Sequence, residues 1–278
     1  MTIDASVRNR WLQAGVVAGV VLLAITLVLP ALQQLHLAHE YERAHMTALK
    51  FRQVIMEMQN WSAQSKISGH DPMCDIVAES GERLLSWRTW LADHSLPIPY
   101  VDHCDYRESW QHPRNLRFAP RGGYFFTKLG HSIRYEDNAA TGDDGHFPPK
   151  SEDATTILAV TGPGTVFGDG TSIPLTDAPG AAIVLVEVRN STVHWMAPGD
   201  FDIRTMPHTI NDPVGQGISG QSPLGFHVAF ADGEVWLLSN DTPFEDLSRF
   251  FLVNEANRLD REIVLGKFRR SRVNISPE

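Results

Sequence analysis

The stretch from Trp11 to Leu35 carries no charged side chain, and between Ala14 and Leu32 only Thr26 and Pro30 interrupt its apolar run. About 20 apolar residues suffice for a helix to cross a ~30 Å hydrocarbon layer. A buried helix of a water-soluble domain is rarely apolar all round for this length. A cleaved signal peptide has a shorter apolar part, of ~7–15 residues, and a small-residue exit that Leu29-Pro30-Ala31-Leu32-Gln33 does not provide. We therefore expect an uncleaved transmembrane anchor at 11–35. Arg8 and Arg10 precede it, whereas the next base, Arg43, lies beyond Glu40 and Glu42. The positive-inside tendency then places residues 1–10 in the cytoplasm and everything after the span outside it.

The 278 residues leave room beyond the anchor for one good-sized domain. Its hydrophobic content, 42 % over the chain, belongs to a folded body, and the net charge of −9 disfavours nucleic acid as a partner. The expected division is a cytoplasmic N-terminus at 1–10, the anchor, an extracytoplasmic domain at 36–257, and a basic tail at 258–278. Arg258, Arg261, Lys267, Arg269, Arg270 and Arg272 make that tail basic, and such a run ordinarily is a solvated terminus. Cys74 and Cys104 are the only cysteines. An oxidising compartment would favour joining them, but spacing alone leaves a bridge and two free thiols equally open.

Beyond the anchor the helix is expected to continue to about residue 61, bent at Pro30. Leu37, Tyr41, Ala44, Ala48, Phe51, Ile55 and Met58 recur in alternating steps of four and three, one stripe of a helix, with Glu40, Glu42, Arg43, Lys50 and Arg52 on the solvated side. A second helix is expected over Glu79–Leu91, ended by Pro97 and Pro99. Residues 100–150 are rich in glycine, proline and aspartate and read as connection, with short strands at 124–129 and 131–135. From 155 onward the texture is β, with short runs at 155–160, 182–188, 193–196, 226–231 and 234–239. Asp232-Gly233 between the last two predicts a tight type I′ hairpin. Thr242-Pro243-Phe244-Glu245 predicts a capped helix running to about Asn257.

Several short words occur in a recognisable order: Leu29-Pro30-Ala31-Leu32-Gln33, Ser86-Trp87-Arg88, Glu108-Ser109-Trp110-Gln111-His112-Pro113-Arg114-Asn115, and Thr161-Gly162-Pro163-Gly164-Thr165. Val186-Glu187-Val188, Trp195-Met196-Ala197-Pro198-Gly199-Asp200 and Val228-Ala229-Phe230-Ala231-Asp232-Gly233 complete it. In these the chain resembles the planctomycete-type secretion-pathway-G-like proteins, a family of unknown function with a pilin-like N-terminus and a C-terminal His-x9-Asp-Gly motif. Ser222 stands where that histidine would fall, and Asp177-Ala178-Pro179-Gly180-Ala181-Ala182 replaces a more polar stretch. The resemblance implies an α+β, pilin-like fold: a long N-terminal helix, membrane-spanning in its first half, packed on an antiparallel sheet, with a short C-terminal helix. It implies a bacterial inner membrane location and no reaction. Trp87, Glu187, Trp195, Pro198, Asp232 and Gly233 are its structural motif residues. Aligned without gaps, Arg8, Asn9 and Gln13 stand where pilin precursors have the cleavage glycine, an aromatic residue and an acid, so prepilin processing and filament growth are not expected.

Chemistry-bearing patterns are weak. His103-Cys104-Asp105 with Asp102 lacks the two paired ligand sets of a structural zinc site. Asp137, Asp143 and Asp144 flank glycines as Ca²⁺ ligands can, but without EF-hand spacing. The glycines of 162–170 precede Ile173-Pro174 rather than a helix, so strand turns are expected and not a phosphate loop. Ser219, Ser222, His227 and Asp232 lack a nucleophile elbow. Trp87, Trp90, Trp110 and Trp195 are expected in the core. The sequence thus predicts a non-catalytic envelope protein without cofactor or metal, held by the bilayer through 11–35 and working by packing against other proteins. The alternative is a tethered ectodomain that binds a small ligand or Ca²⁺, or less readily a hydrolase, through loops 100–150 and 197–222.

Overall fold

The computed structural model describes residues 5–68, 75–95, 103–119, 126–127, 153–168, 172–212 and 217–272. It is α+β. Helix α1, Ala5–Ser68, is continuous and includes Pro30. The chain divides into two compact units, Met1–Glu42 and Arg43–Glu278. In the first, the described side chains between 16 and 39 are exposed. Among the described residues no helix is long and apolar enough to cross a membrane. The side chains of 5–15, 20–22, 24 and 25, much of the uncharged run, lie outside that description.

In the second unit the expected stripe is buried from Ala44 onward: Ala48, Phe51, Ile55 and Met58 are in the core, while Leu37 and Tyr41, in the first unit, are exposed. Two residues depart from their expected solvated side, Glu40 at 5 % exposed and Lys50 at 8 % exposed. Lys50 donates to the Thr127 carbonyl (3.1 Å), and burial pulls its pKa down to about 8.

The expected helix at 79–91 is instead strand then helix. β1 (Ile76–Val77) pairs antiparallel with β2 (Arg83–Leu85), and α2 runs from Trp87 to Ser95. Ser86 enforces the change: its hydroxyl accepts from the Thr89 amide (3.3 Å), an N-cap, while its own amide donates to the Met196 carbonyl (2.9 Å). A single turn, α3 (Pro113–Leu116), follows with proline at its start.

The main sheet comprises β3 (Ile157–Thr161), β4 (Ile183–Glu187), β5 (Phe201–Asp202), β6 (Phe226–Phe230), β7 (Val235–Leu238) and β8 (Arg269–Arg272), in the order β5-β3-β4-β6-β7-β8. Every residue of β4 and β6 is buried, so the sheet is covered on both faces and its strands are continuous apolar runs. Phe51 of α1 lies against the His227 ring of β6, centroids 5.8 Å apart. The sheet is mixed and not antiparallel throughout: β5 joins β3 in parallel, Val160 opposite Phe201. The expected strand at 193–196 is a turn containing one isolated bridge, Ala154 to His194. Of the strands expected at 124–129 and 131–135, only residues 126 and 127 are described, and Thr127 bridges Thr155.

The C-terminal region differs from expectation twice. The expected helix to Asn257 is broken into α4 (Phe244–Ser248), a 3-10 turn (Arg249–Phe251) and α5 (Val253–Ala256). Leu252 is extended, which presents the Val253 amide to the Gly164 carbonyl (2.9 Å). Thr242 donates to the Ser239 carbonyl (2.6 Å) instead of capping α4. The basic segment is not a solvated tail: it forms α6 (Arg261–Val264), a 3-10 turn and then β8, the sixth strand. Arg261 spans the Asp232 and Glu234 carboxylates (2.5 and 3.1 Å) and lies 4.5 Å from the Phe230 ring centroid.

The β6–β7 hairpin is where expected, with a different turn. Phe230 and Glu234 face each other across a three-residue loop, the Gly233 amide donates to the Phe230 carbonyl (2.9 Å), and Gly233 alone in the loop has positive φ, 90°. This is a type I turn closed by a glycine bulge. Asp232 stays right-handed because its Oδ1 accepts from the Glu234 amide (3.0 Å). A Cβ on Gly233 would sit 3.0 Å from the Gln59 side chain of α1, whose amide donates to the Ala231 carbonyl (2.8 Å). Gly233→Val should therefore lower unfolding free energy by about 2–3 kcal/mol, from backbone strain and a steric clash. Asp232→Asn keeps the turn acceptor and loses only a partly exposed ion pair, for less than ~1 kcal/mol. Urea unfolding of both variants checks the ranking.

Candidate functional site

Three of the recurring words meet at one place. Arg88, in the first turn of α2, is fully buried. Its Nε donates to the Trp195 carbonyl (3.0 Å), one terminal nitrogen to Asp200 Oδ1 (2.6 Å), and the other to the carbonyls of Ala197 (3.2 Å) and Gly199 (2.8 Å). The neighbours of Arg88 grip the same stretch: Ser86 donates to the Trp195 carbonyl (2.8 Å), and Trp87 Nε1 donates to Asp200 Oδ2 (3.0 Å). Pro198 has a fixed φ and no amide to satisfy, and Gly199 has φ 143°. Between them they turn the carbonyls of 197 and 199 onto one guanidinium nitrogen.

Asp200 carries the clamp into the sheet. Its Oδ1 also accepts from the Ala159 amide of β3 (2.9 Å). The residue after it begins β5, so the carboxylate sets β5 alongside β3 and gives the sheet its parallel edge. The expectation of an all-antiparallel sheet fails at this residue.

The third word folds onto the clamp from outside. Asn115 is fully buried, with its amide nitrogen donating to the carbonyls of Asp105, Glu108 and Ser109 and its oxygen accepting from the Asp105 amide. That closes the loop bearing Trp110, whose ring stacks on His194 (4.6 Å, 22°). Side-chain hydrogen bonds from Arg107 hold the Asp105 carboxyl below the usual range. Trp195 and Trp87 are core residues, as expected, and Trp90 and Trp110 are half-buried.

His194 is the titratable group at the clamp. Its Nδ1 accepts from the Met196 amide (3.2 Å), which places the proton on Nε2, 3.8 Å from Asp153 Oδ2. Burial first, and the Arg88 charge second, pull its pKa down to about 4.

Glu187 lies at the centre of a second network. Its Oε2 accepts from the His227 amide (2.9 Å) and pairs with His227 Nδ1 (2.7 Å), and its Oε1 accepts from the Gln221 amide (2.8 Å). Both side chains are almost fully buried. The serine–histidine–aspartate grouping is therefore not assembled as a triad. His227 Nδ1 is directed to Glu187, Ser219 donates to the Gly217 carbonyl, and Asp232 is held by Arg261.

Among the described residues no group of three or more His, Cys, Asp or Glu side chains is placed to hold a metal ion. His103 Nδ1 lies 3.0 Å from Asp93 Oδ1, and the Tyr106 hydroxyl donates to the other oxygen of Asp93 (2.5 Å). Asp102, Asp137, Asp143 and Asp144 lie outside the described residues. So does Cys74. Cys104 is a buried free thiol, its pKa pushed up by burial and by Asp93. Gly162-Pro163-Gly164-Thr165 forms a turn after β3, closed by the Thr165 hydroxyl on the Gly162 carbonyl (2.8 Å). Arg88, Trp195 and Asp200 each stand in a quoted word, but their meeting is tertiary. His194 and Gln221 had no sequence signal beyond polarity beside apolar strands.

Two outcomes test the site. Arg88→Ala leaves Asp200 buried without its charge partner and should cost about 3–5 kcal/mol in urea unfolding, with Arg88→Lys in between because an ammonium cannot fork. For His194, the unfolded chain takes up its proton near pH 6.5 and the folded chain only near pH 4. Stability therefore falls as pH drops from 6.5 toward 4, by on the order of 3 kcal/mol, and levels off below. His194→Asn, which keeps an acceptor for the Met196 amide, should flatten that slope. Equal slopes in variant and wild type would contradict the assignment.

No family model, curated protein or solved structure matches the chain.

Proposed function

We propose that the chain is a single-pass, membrane-anchored, non-catalytic envelope protein of pilin-like build that works by packing against other proteins. One observation carries the proposal. The uncharged run lies wholly within α1, and its described apolar side chains are exposed: Val16 by 66 %, Leu27 by 65 %, Leu35 by 68 %. Exposed apolar surface of this extent is costly in water and is met by lipid or by other proteins. A long N-terminal helix whose later half lies on a sheet is consistent with the pilin-like resemblance. The non-catalytic reading is supported by how the buried acids are used: Asp200 and Glu187 accept backbone and side-chain hydrogen bonds that hold loops and strands.

Under this proposal the bacterial inner membrane holds 11–35, the body lies outside the cytoplasm, and residues 1–10 stay attached. The partners are other envelope proteins. In membranes from the native host, the protein should resist alkaline carbonate extraction, and protease added to spheroplasts should digest the body beyond residue 60. Mass spectrometry should find the residues before Trp11 intact. Release by carbonate, full protection of the body, or a mature chain beginning near Asn9 or Trp11 would each overturn the corresponding part.

A further inference from the structure

The loop held by the Arg88 clamp goes on to wall a cleft of about 270 Å³. Met206, Phe251 and Leu252 line its inner part, Phe244 forms a side, and His208 and Glu245 stand at the mouth. Met206 and Phe251 are buried in the core, so this end of the cleft is held by packing and not by a loose surface loop.

Size narrows the occupant. A cavity of ~150 Å³ lined by aliphatic and aromatic side chains accepts one benzene ring, and drug-sized ligands need roughly 300–1,000 Å³. This cleft therefore holds one ring with a tail of two or three atoms. The walls favour a ring: the His208 and Phe244 rings stack nearly parallel (5.1 Å, 14°), and Phe251 meets Phe244 edge-on (6.2 Å, 67°). The Met206 thioether adds a polarizable contact that aromatic edges prefer.

Charge narrows it further. Glu245 is exposed at the mouth, and among the described residues it has no ion-pair partner. The arginines adjoining the lining in sequence are already paired, Arg204 with Asp202 (2.6 Å) and Arg249 with Glu255 (3.0 Å). A cation at the mouth would meet the Glu245 carboxylate and the negative faces of the phenylalanine rings together.

We propose that this cleft binds a single-ring aromatic amine, with the ring against Met206 and Phe251 and the ammonium at Glu245. The site is independent of the membrane anchor and adds a ligand to a protein otherwise built for packing.

The test uses the full chain in lipid nanodiscs, with 4-fluorophenethylamine as probe and 4-fluorophenethyl alcohol as its uncharged counterpart. Fluorine NMR titration should show saturable binding of the amine, about tenfold weaker binding of the alcohol, and methyl shifts at Met206 and Leu252 in the wild type. Glu245→Gln, on an exposed side chain, should bring the two affinities within about twofold. Ser248→Trp, at the half-buried rim, should block both. No saturation at millimolar amine, equal affinity for amine and alcohol in the wild type, or unmoved Met206 and Leu252 methyls would each overturn the proposal, whatever the variants do.

Discussion

Burying the Arg88 guanidinium is the constraint on which this domain turns. Taking an ion of this size out of water costs several kcal/mol even after relaxation, and only a full set of well-placed acceptors offsets it. Those acceptors come from one short stretch, Trp195 to Asp200, and from no regular element. An irregular segment gains stability in a structure only when its own carbonyls are satisfied, and here the guanidinium satisfies three of them. The cation and the loop thus solve each other's problem. Neither would be tolerated buried alone.

The consequences run outward from Asp200. Its carboxylate is shared among Arg88, the Trp87 indole and the Ala159 amide, so helix α2, the loop and β3 converge on one side chain. The parallel β3–β5 pair follows from that convergence, since β5 starts at the next residue. At the end of β4, Glu187 plays a comparable part with different chemistry. It binds the amide and the ring of His227 and the Gln221 amide, tying the loop before β6 to the middle of the sheet. In strands that are apolar on both faces, such a carboxylate supplies the register information that alternation of polar and apolar residues supplies elsewhere.

The sequence made the local features legible and left the tertiary ones hidden. Four central strands match the expected β runs to within a residue or two, because burial on both faces leaves a largely apolar word. The helix stripe from Ala44 to Met58 was legible from its alternating steps of four and three. What failed was set by distant partners. The start of α2 depends on Ser86 meeting Met196, and the break at Leu252 depends on Gly164. The burial of Lys50 depends on Thr127. β8 reads as a basic tail because Arg269–Arg272 has no apolar pattern. It is a strand because β7 offers an unpaired edge and its own first residue, Arg269, covers the Trp236 ring at 4.5 Å. The hairpin was legible in place but not in type, since Asp-Gly serves both a two-residue turn and a three-residue turn ending in a glycine bulge. At the candidate site Arg88, Asn115, Glu187, Trp195 and Asp200 stood in quoted words whereas His194, Gln221 and His227 did not, and no word announces which other word it will touch.

Helix α1 carries two different patterns of apolar residues along one continuous backbone. In Met1–Glu42 its described apolar residues form no stripe: Val16 and Val17, then Leu27, Val28 and Leu29, are consecutive and exposed. Consecutive apolar residues cover every face of a helix, which suits an environment that is apolar in all directions. In Arg43–Glu278 the spacing changes to alternating steps of four and three, and burial follows it at Ala44, Ala48, Phe51, Ile55 and Met58. That spacing suits an environment apolar on one side only. Lys50 falls within this second regime, where a long aliphatic stem can lie along the apolar stripe while its nitrogen reaches a carbonyl. The stem's burial is favourable and the charge's burial is not, which is why the pKa comes down toward neutrality instead of the side chain turning out. The transition between the two patterns needs no break in the backbone, because a helix satisfies its own hydrogen bonds in lipid, in water or against a sheet. The difference between the two stretches thus lies in the spacing of apolar side chains and not in the backbone, which is helical through both.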